Sequence, residues 1–112
     1  MSYRSDYEVV EPARMDIDAA PDLVLLEFGA PWCGHCQAAQ PALRALLDEA
    51  GDVIHVKVED GRGKPLGRSF GVKLWPTVLV LRQGEELARA VRPVSAADLA
   101  PLRQALQGEG GQ

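Results

Sequence analysis

Cys33-Gly34-His35-Cys36 is the segment of this chain best equipped for chemistry, and it holds the only two cysteines among 112 residues. A bridge between them closes so small a loop that it removes little entropy from the unfolded chain. Redox exchange therefore explains the pair better than stability does. A domain held together by disulfides carries more cysteines at wider spacing. A structural zinc site needs four ligands. The chain offers the two cysteines with His35 and His55, and His35 lies inside the loop, badly placed to join the same tetrahedron. No metal and no bound cofactor are expected. Covalent haem attachment requires a histidine directly after the second cysteine, where Gln37 stands. An inert pair of buried thiols fits poorly with a helix start that follows a strand.

Backbone N–H groups at the start of a helix lack partners, and the helix dipole places partial positive charge there. A thiolate at that position is stabilised, and only the thiolate attacks a disulfide. Cys33, nearest the free N–H groups and solvent, is assigned as the nucleophile. Cys36 sits one turn along on the same side and is assigned as the resolving thiol. Gly34 permits a tight loop and close approach of another backbone. His35, when protonated, adds positive charge beside Cys33 and can donate a hydrogen bond to its thiolate. Both effects favour the reduced form and make the disulfide more oxidising; the bland alternative is a surface histidine. Glu27 interrupts an apolar run six residues before Cys33. A lone carboxylate buried there loses hydration, which favours its protonated form. It is expected to exchange a proton with Cys36, directly or through water; the alternative is an outward-facing residue at a sheet edge. Trp32 could support a substrate chain or simply pack. Trp75-Pro76-Thr77 precedes an apolar strand, and Pro76 cannot donate to a sheet ladder.

The surrounding elements must position these groups. Leu23 to Phe28 reads as a strand buried on both faces, hence central in a sheet. A helix is expected from Cys33 to about Ala50, with Leu43, Leu46 and Leu47 on one face and Gly51 as its cap. Val53 to Val58 reads as a strand with Ile54, Val56 and Val58 on one face. Pro65 opens a short helix ending at Gly71. Thr77 to Leu81 and Leu87 to Val91 form a hairpin around Gln83-Gly84. A last helix is capped by Ser95 with Asp98 as a capping box and Val94 stapled to Leu99. Tyr7, Val9 and Val10 begin a possible leading strand, and Met15 to Asp22 holds a helical turn ending at Pro21. The strand–helix–strand unit implies a parallel pair with a right-handed crossover. The hairpin makes the sheet mixed, so the fold class is α/β, a central mixed sheet flanked by helices on both faces. Residues 1–6 are expected to be a flexible N-terminus, 7–107 one domain and 108–112 a flexible tail.

A chain of this length fits one domain, and its hydrophobic fraction of 46% is enough to bury a core without staples. The net charge of −4 argues against nucleic acid as the main partner. No stretch approaches the roughly 18 apolar residues of a membrane helix, and Met1 to Pro12 lacks the basic start and apolar run of a secretory signal. The expectation is a cytoplasmic monomer that binds neither membrane nor nucleic acid.

The segment from Glu27 to Cys36, Glu-Phe-Gly-Ala-Pro-Trp-Cys-Gly-His-Cys, resembles the active-site segment of protein disulfide isomerase domains. Pro41 and the stretch Phe70 to Thr77 are similar to the helix-kinking proline and the cis-proline segment of the thioredoxin superfamily. The resemblance covers about Tyr7 to Leu106. It implies the thioredoxin fold, a cis Trp75–Pro76 bond, and a groove lined by Trp32, Trp75 and Pro76 in which the Trp75 backbone pairs with an extended substrate beside Cys33. Thioredoxins proper usually have Pro at the place of His35 and Asp at that of Glu27. Arg92-Pro93 stands where the family has a small residue, which implies a narrower groove or a preference for acidic partners. His55 falls near a position where thioredoxins often carry a lysine. The function that follows is thiol–disulfide exchange. The leading reading is a cytosolic protein-disulfide reductase acting on disulfide-containing proteins and recharged by a reductase donor. An oxidase or isomerase, which the His35 motif suits, is the alternative. A thioredoxin-like module that merely binds a partner is the third reading.

Overall fold

The computed structural model describes residues 3–111. Strand β1, Val24–Gly29, is buried at every position, because it lies between two strands and is covered on both faces. Its Val24, Leu26 and Phe28 face one layer and Leu25 the other, the period-two alternation of a strand. On one side it pairs in parallel with β2, Ile54–Glu59, and on the other antiparallel with β3, Thr77–Arg82. Strand β4, Glu85–Val91, completes the order β2-β1-β3-β4. The β3–β4 turn holds Gln83 at φ 48° and Gly84 at φ 84°. Two positive φ values are what a two-residue hairpin of matching twist requires, and glycine adopts one at no steric cost.

Helix α2, Gly34–Ala50, crosses from β1 to β2. It shares one face of the sheet with α4, Ala100–Gly111: Leu43, Leu46, Leu47, Leu99, Leu102 and Leu106 pack there on Leu25, Val78 and Val80. The opposite face is covered by α1, Arg14–Asp18, and α3, Pro65–Ser69, through Ile17, Leu66 and Phe70. The mixed sheet with helices on both faces is thus the one expected. No helix among the described residues is long and apolar enough to cross a membrane.

Several local expectations change. The leading strand reduces to a single bridge, Glu8 to Val58. The chain then leaves the sheet edge towards α1, and Val9 and Val10 stay exposed. The helical turn lies earlier than expected, ending at Asp18. The capping box does form. Asp98 Oδ2 accepts from the Ser95 N–H at 3.2 Å, and Ser95 Oγ accepts from the Asp98 N–H at 3.3 Å. It caps a 3-10 turn, Ala97–Leu99, that leads into α4. Val94 is 61% exposed, too open to staple Leu99. Helix α4 runs on to Gly111 instead of yielding a tail at 108, because Gly108 keeps negative φ and the helical ladder continues. At the other end Tyr3, Arg4 and Ser5 are fastened to the body by hydrogen bonds described below. Met1, Ser2 and Gln112 lie outside the described residues.

Candidate active site

Cys33 is the N-cap of α2. Its Sγ accepts a hydrogen bond from the Cys36 N–H at 3.2 Å, one of the helix-start donors that would otherwise lack a partner. Both cysteines are thiols, Cys33 at 9% exposure and Cys36 at 0%. Ala30 and Trp75 pack around the pair. Burial first, and the neighbouring Cys33 sulfur second, push the Cys36 thiol up to about 12. The Tyr7 hydroxyl, hydrogen-bonded to the Cys36 sulfur, pulls the other way. Tyr7 itself is raised, mainly by burial and then by the Glu27 charge. Gly29 at the end of β1 makes room for this arrangement. A Cβ there would lie 2.6 Å from Cys36 Sγ and 3.3 Å from the Tyr7 oxygen.

Glu27 is fully buried, as its apolar run suggested, but it is not alone. It points from β1 to the α2 face, and His55 and Lys57 of β2 point the same way, Lys57 in register with it. The parallel pairing puts three polar side chains under the start of α2. His55 Nε2 lies 2.8 Å from Glu27 Oε1, and Gln40 Nε2 donates to Glu27 Oε2 at 2.9 Å. Gln40 also donates to the Cys36 carbonyl at 2.7 Å. On its far side Gln40 Oε1 accepts from Lys57 Nζ and from the Tyr3 hydroxyl, each at 2.7 Å. Lys57 further donates to the carbonyls of Arg4 and Ser5, and its ammonium sits 4.6 Å from the Tyr7 ring centre. Burial lowers its pKa, while the Glu27 and Cys36 charges oppose that. The Arg4 N–H donates to His55 Nδ1 at 2.8 Å. That nitrogen therefore carries no proton, so the ring is the neutral tautomer that donates from Nε2 to Glu27.

Lys57, Gln40 and Tyr7 were missed by the sequence reading, which offered His55 as the stand-in for the family's lysine. The structure places Lys57 against the Gln40 amide beside Glu27, and His55 as an additional partner of that acid. A signal was available: His55 and Lys57 alternate with Ile54, Val56 and Val58, so two polar residues share one strand face. That face proves the more buried, with Ile54 at 39% exposure against 3% and 2% for His55 and Lys57.

The groove beside Cys33 is lined by Trp32, Gly34, His35 and Trp75, with Lys73 and Arg92 on its rim, and encloses about 440 Å³. Trp32 is 72% exposed and meets Trp75 edge-on at 5.5 Å. The Trp75 indole donates to Asp60 at 3.0 Å. Trp75–Pro76 is cis. His35 is exposed on the first turn of α2, and its ring makes no hydrogen bond to Cys33; the thiol sulfur is served by the Cys36 N–H instead. Arg92 has φ 52°, donates its N–H to the Pro76 carbonyl at 2.8 Å and its Nε–H to the Trp75 carbonyl at 2.9 Å. The Trp75 carbonyl expected to meet a substrate strand is thus held by a side chain of the protein.

A dithiol at a helix start, a buried acid behind it and a cis-proline in front define the class of thiol–disulfide oxidoreductases. The thioredoxin family model matches residues 9–105, and the chain belongs to that family. Thioredoxin 2 from Pseudomonas aeruginosa PAO1, in its reduced form, superposes with a TM-score of 0.82 at 51% identity, over 96% of this chain and 100% of that one. Thioredoxin H2 of Arabidopsis thaliana is 30% identical over 76 residues, 68% of this chain and 57% of its own length. Protein disulfide-isomerase A3 of Gallus gallus is 36% identical over 84 residues, 70% of this chain and 17% of its own.

Proposed function

We propose that this chain is a protein-disulfide reductase of the cytoplasm, working as a single domain over about residues 7–107, with Cys33 as nucleophile and Cys36 as resolving thiol. The observation that carries the reading is the asymmetry of the pair. Cys33 caps the helix with its sulfur on a backbone N–H, while Cys36 is sealed off and holds its proton. The Cys33 thiolate attacks one sulfur of a substrate disulfide. The Cys33–substrate bond forms, the substrate S–S bond breaks, and the departing sulfur takes a proton. Cys36 then loses its proton and attacks Cys33 Sγ. The Cys33–Cys36 bond forms, the mixed disulfide breaks, and the second substrate thiol leaves. Two electrons have passed to the substrate, and a reductase donor returns two electrons and two protons.

Glu27 is the acceptor for the Cys36 proton in this scheme. Its oxygens are held by Gln40 and His55 rather than by Cys36, so the route runs through water or the Tyr7 hydroxyl. Trp32, Gly34, Trp75 and Pro76 receive the substrate chain. His35 tunes the redox poise by its charge alone. No metal or bound cofactor enters the cycle. Reduction of insulin disulfides at the expense of dithiothreitol should be accelerated by the protein and not by Cys33→Ser. Equal rates with and without protein would leave only the partner-binding reading.

A further inference from the structure

The rim of the substrate groove carries charge of one sign. Arg92 and Lys73 both line it and both are exposed. Arg92 is fixed there by two anchors, its N–H on Pro76 and its Nε–H on Trp75. Its two Nη nitrogens have no acceptor among the described residues, and a guanidinium so placed presents a fork suited to a carboxylate. No carboxylate is among the described residues that line the groove, and Asp60, which reaches its Trp75, is taken up by that indole and lies close against Gly67. The chain as a whole is negative, at −4, so its net field repels an acidic partner. Any attraction to acid must be local, acting within roughly a Debye length of about 8 Å.

We propose that Arg92 and Lys73 select the substrate, favouring target disulfides whose cysteine is flanked by Asp or Glu. This rests on the reductase reading and names its substrate class. The physical case has two parts. A substrate strand laid beside Trp75 must share its carbonyl with the Arg92 side chain, which disfavours neutral substrates. An acidic side chain next to the target cysteine pairs with the same guanidinium and offsets that obstruction. Lys73, which also lines the groove, adds a second cation.

The test compares two short peptides, each closed by one disulfide, one with Asp and one with Lys beside the cysteines. Second-order rate constants for their reduction by the fully reduced protein are measured at low and high salt. The Asp peptide should react about fivefold faster at low salt, and high salt should bring the rates together. Arg92→Gln keeps an N–H for the Trp75 carbonyl and removes the charge; Lys73→Gln removes the other. Each should lower the preference about two- to threefold. Equal rates at low salt, or a preference that survives both substitutions, overturns the proposal and leaves the reductase reading standing. Failure to reduce either peptide sinks both.

Discussion

Replacing Glu27 with Gln tests the polarity of the buried cluster. Lys57 can only donate, so the Gln40 atom 2.7 Å from its Nζ is the amide oxygen, and the amide nitrogen faces Glu27. The Arg4 N–H likewise demands a bare Nδ1 on His55 and sets the ring proton on Nε2, against Glu27. Both Glu27 oxygens therefore meet donors. A glutamine in its place has one oxygen and one NH2, so one N–H must face another. Turning Gln40 would put its NH2 against Lys57. Moving the His55 proton to Nδ1 would put it against the Arg4 N–H. Each repair relocates the conflict without removing it. The loss is at least one hydrogen bond to a charged group in a buried site, about 1.5–3 kcal/mol. For a domain of about 100 residues this lowers Tm by roughly 6–13 °C. Thermal denaturation of the reduced protein, followed by circular dichroism at neutral pH, reads the effect. Glu27→Gln combined with Gln40→Glu again gives donors opposite acceptors, except at the Cys36 carbonyl, and should recover part of the loss. A Glu27→Gln protein melting within two or so degrees of the parent would refute this assignment of donors and acceptors.

Alkylation of the reduced protein near neutral pH should modify Cys33 before Cys36, as peptide mapping would show; equal rates would overturn the division of roles. Tyr7→Phe removes a donor to the Cys36 sulfur, so its pKa should rise further and release of a trapped mixed disulfide should slow by about three- to tenfold; an unchanged release rate would remove Tyr7 from the mechanism. Cys36 keeps its proton longer folded than unfolded, so the reduced protein should lose stability as pH climbs from the ordinary thiol value of 9.0 towards about 12. Chemical denaturation across that range should show a shallower decline in Cys36→Ala, and identical slopes would contradict the raised thiol. His35→Pro removes a side chain that can carry positive charge beside Cys33, which should lower the reduction potential in equilibration with glutathione; an unmoved potential would leave His35 without influence on the poise.

The architecture was legible because its signals are local. The unbroken apolar run of β1, the leucine spacing of α2 and α4 and the turn at Gln83-Gly84 each declare an element within a few residues. Cys33 and Cys36 were legible for the same reason: their role follows from where a helix begins. The polar cluster around Glu27 was half legible. Its burial could be read from Leu25, Leu26 and Phe28, but its partners come from three other segments, brought together by the parallel register of β1 with β2 and by the docking of residues 3–5. No spacing in the chain announces that Gln40 will bridge Glu27, Lys57 and the Cys36 carbonyl. Arg92 was visible as a departure from the family pattern, yet its hold on the Trp75 carbonyl depends on a backbone conformation at φ 52° that an arginine seldom adopts.

The fastening of Tyr3, Arg4 and Ser5 over this cluster bears on how the chain assembles. Their partners Gln40, His55 and Lys57 lie 37, 51 and 53 positions away, so the segment is held to the body by long-range contacts, as β1 is to β3. Residues 3–5 supply His55 with its backbone N–H donor and Lys57 with two carbonyl acceptors, on a face where Glu27 is also buried. The partners they provide offset the cost of burying these polar groups. The docked segment also matches only one alignment of the two strands. A β2 slipped by one residue would turn Ile54, Val56 and Val58 towards the docking segment. Aliphatic side chains offer nothing to the Arg4 N–H or the Arg4 and Ser5 carbonyls, so a misaligned sheet would stay unsealed and free to re-pair.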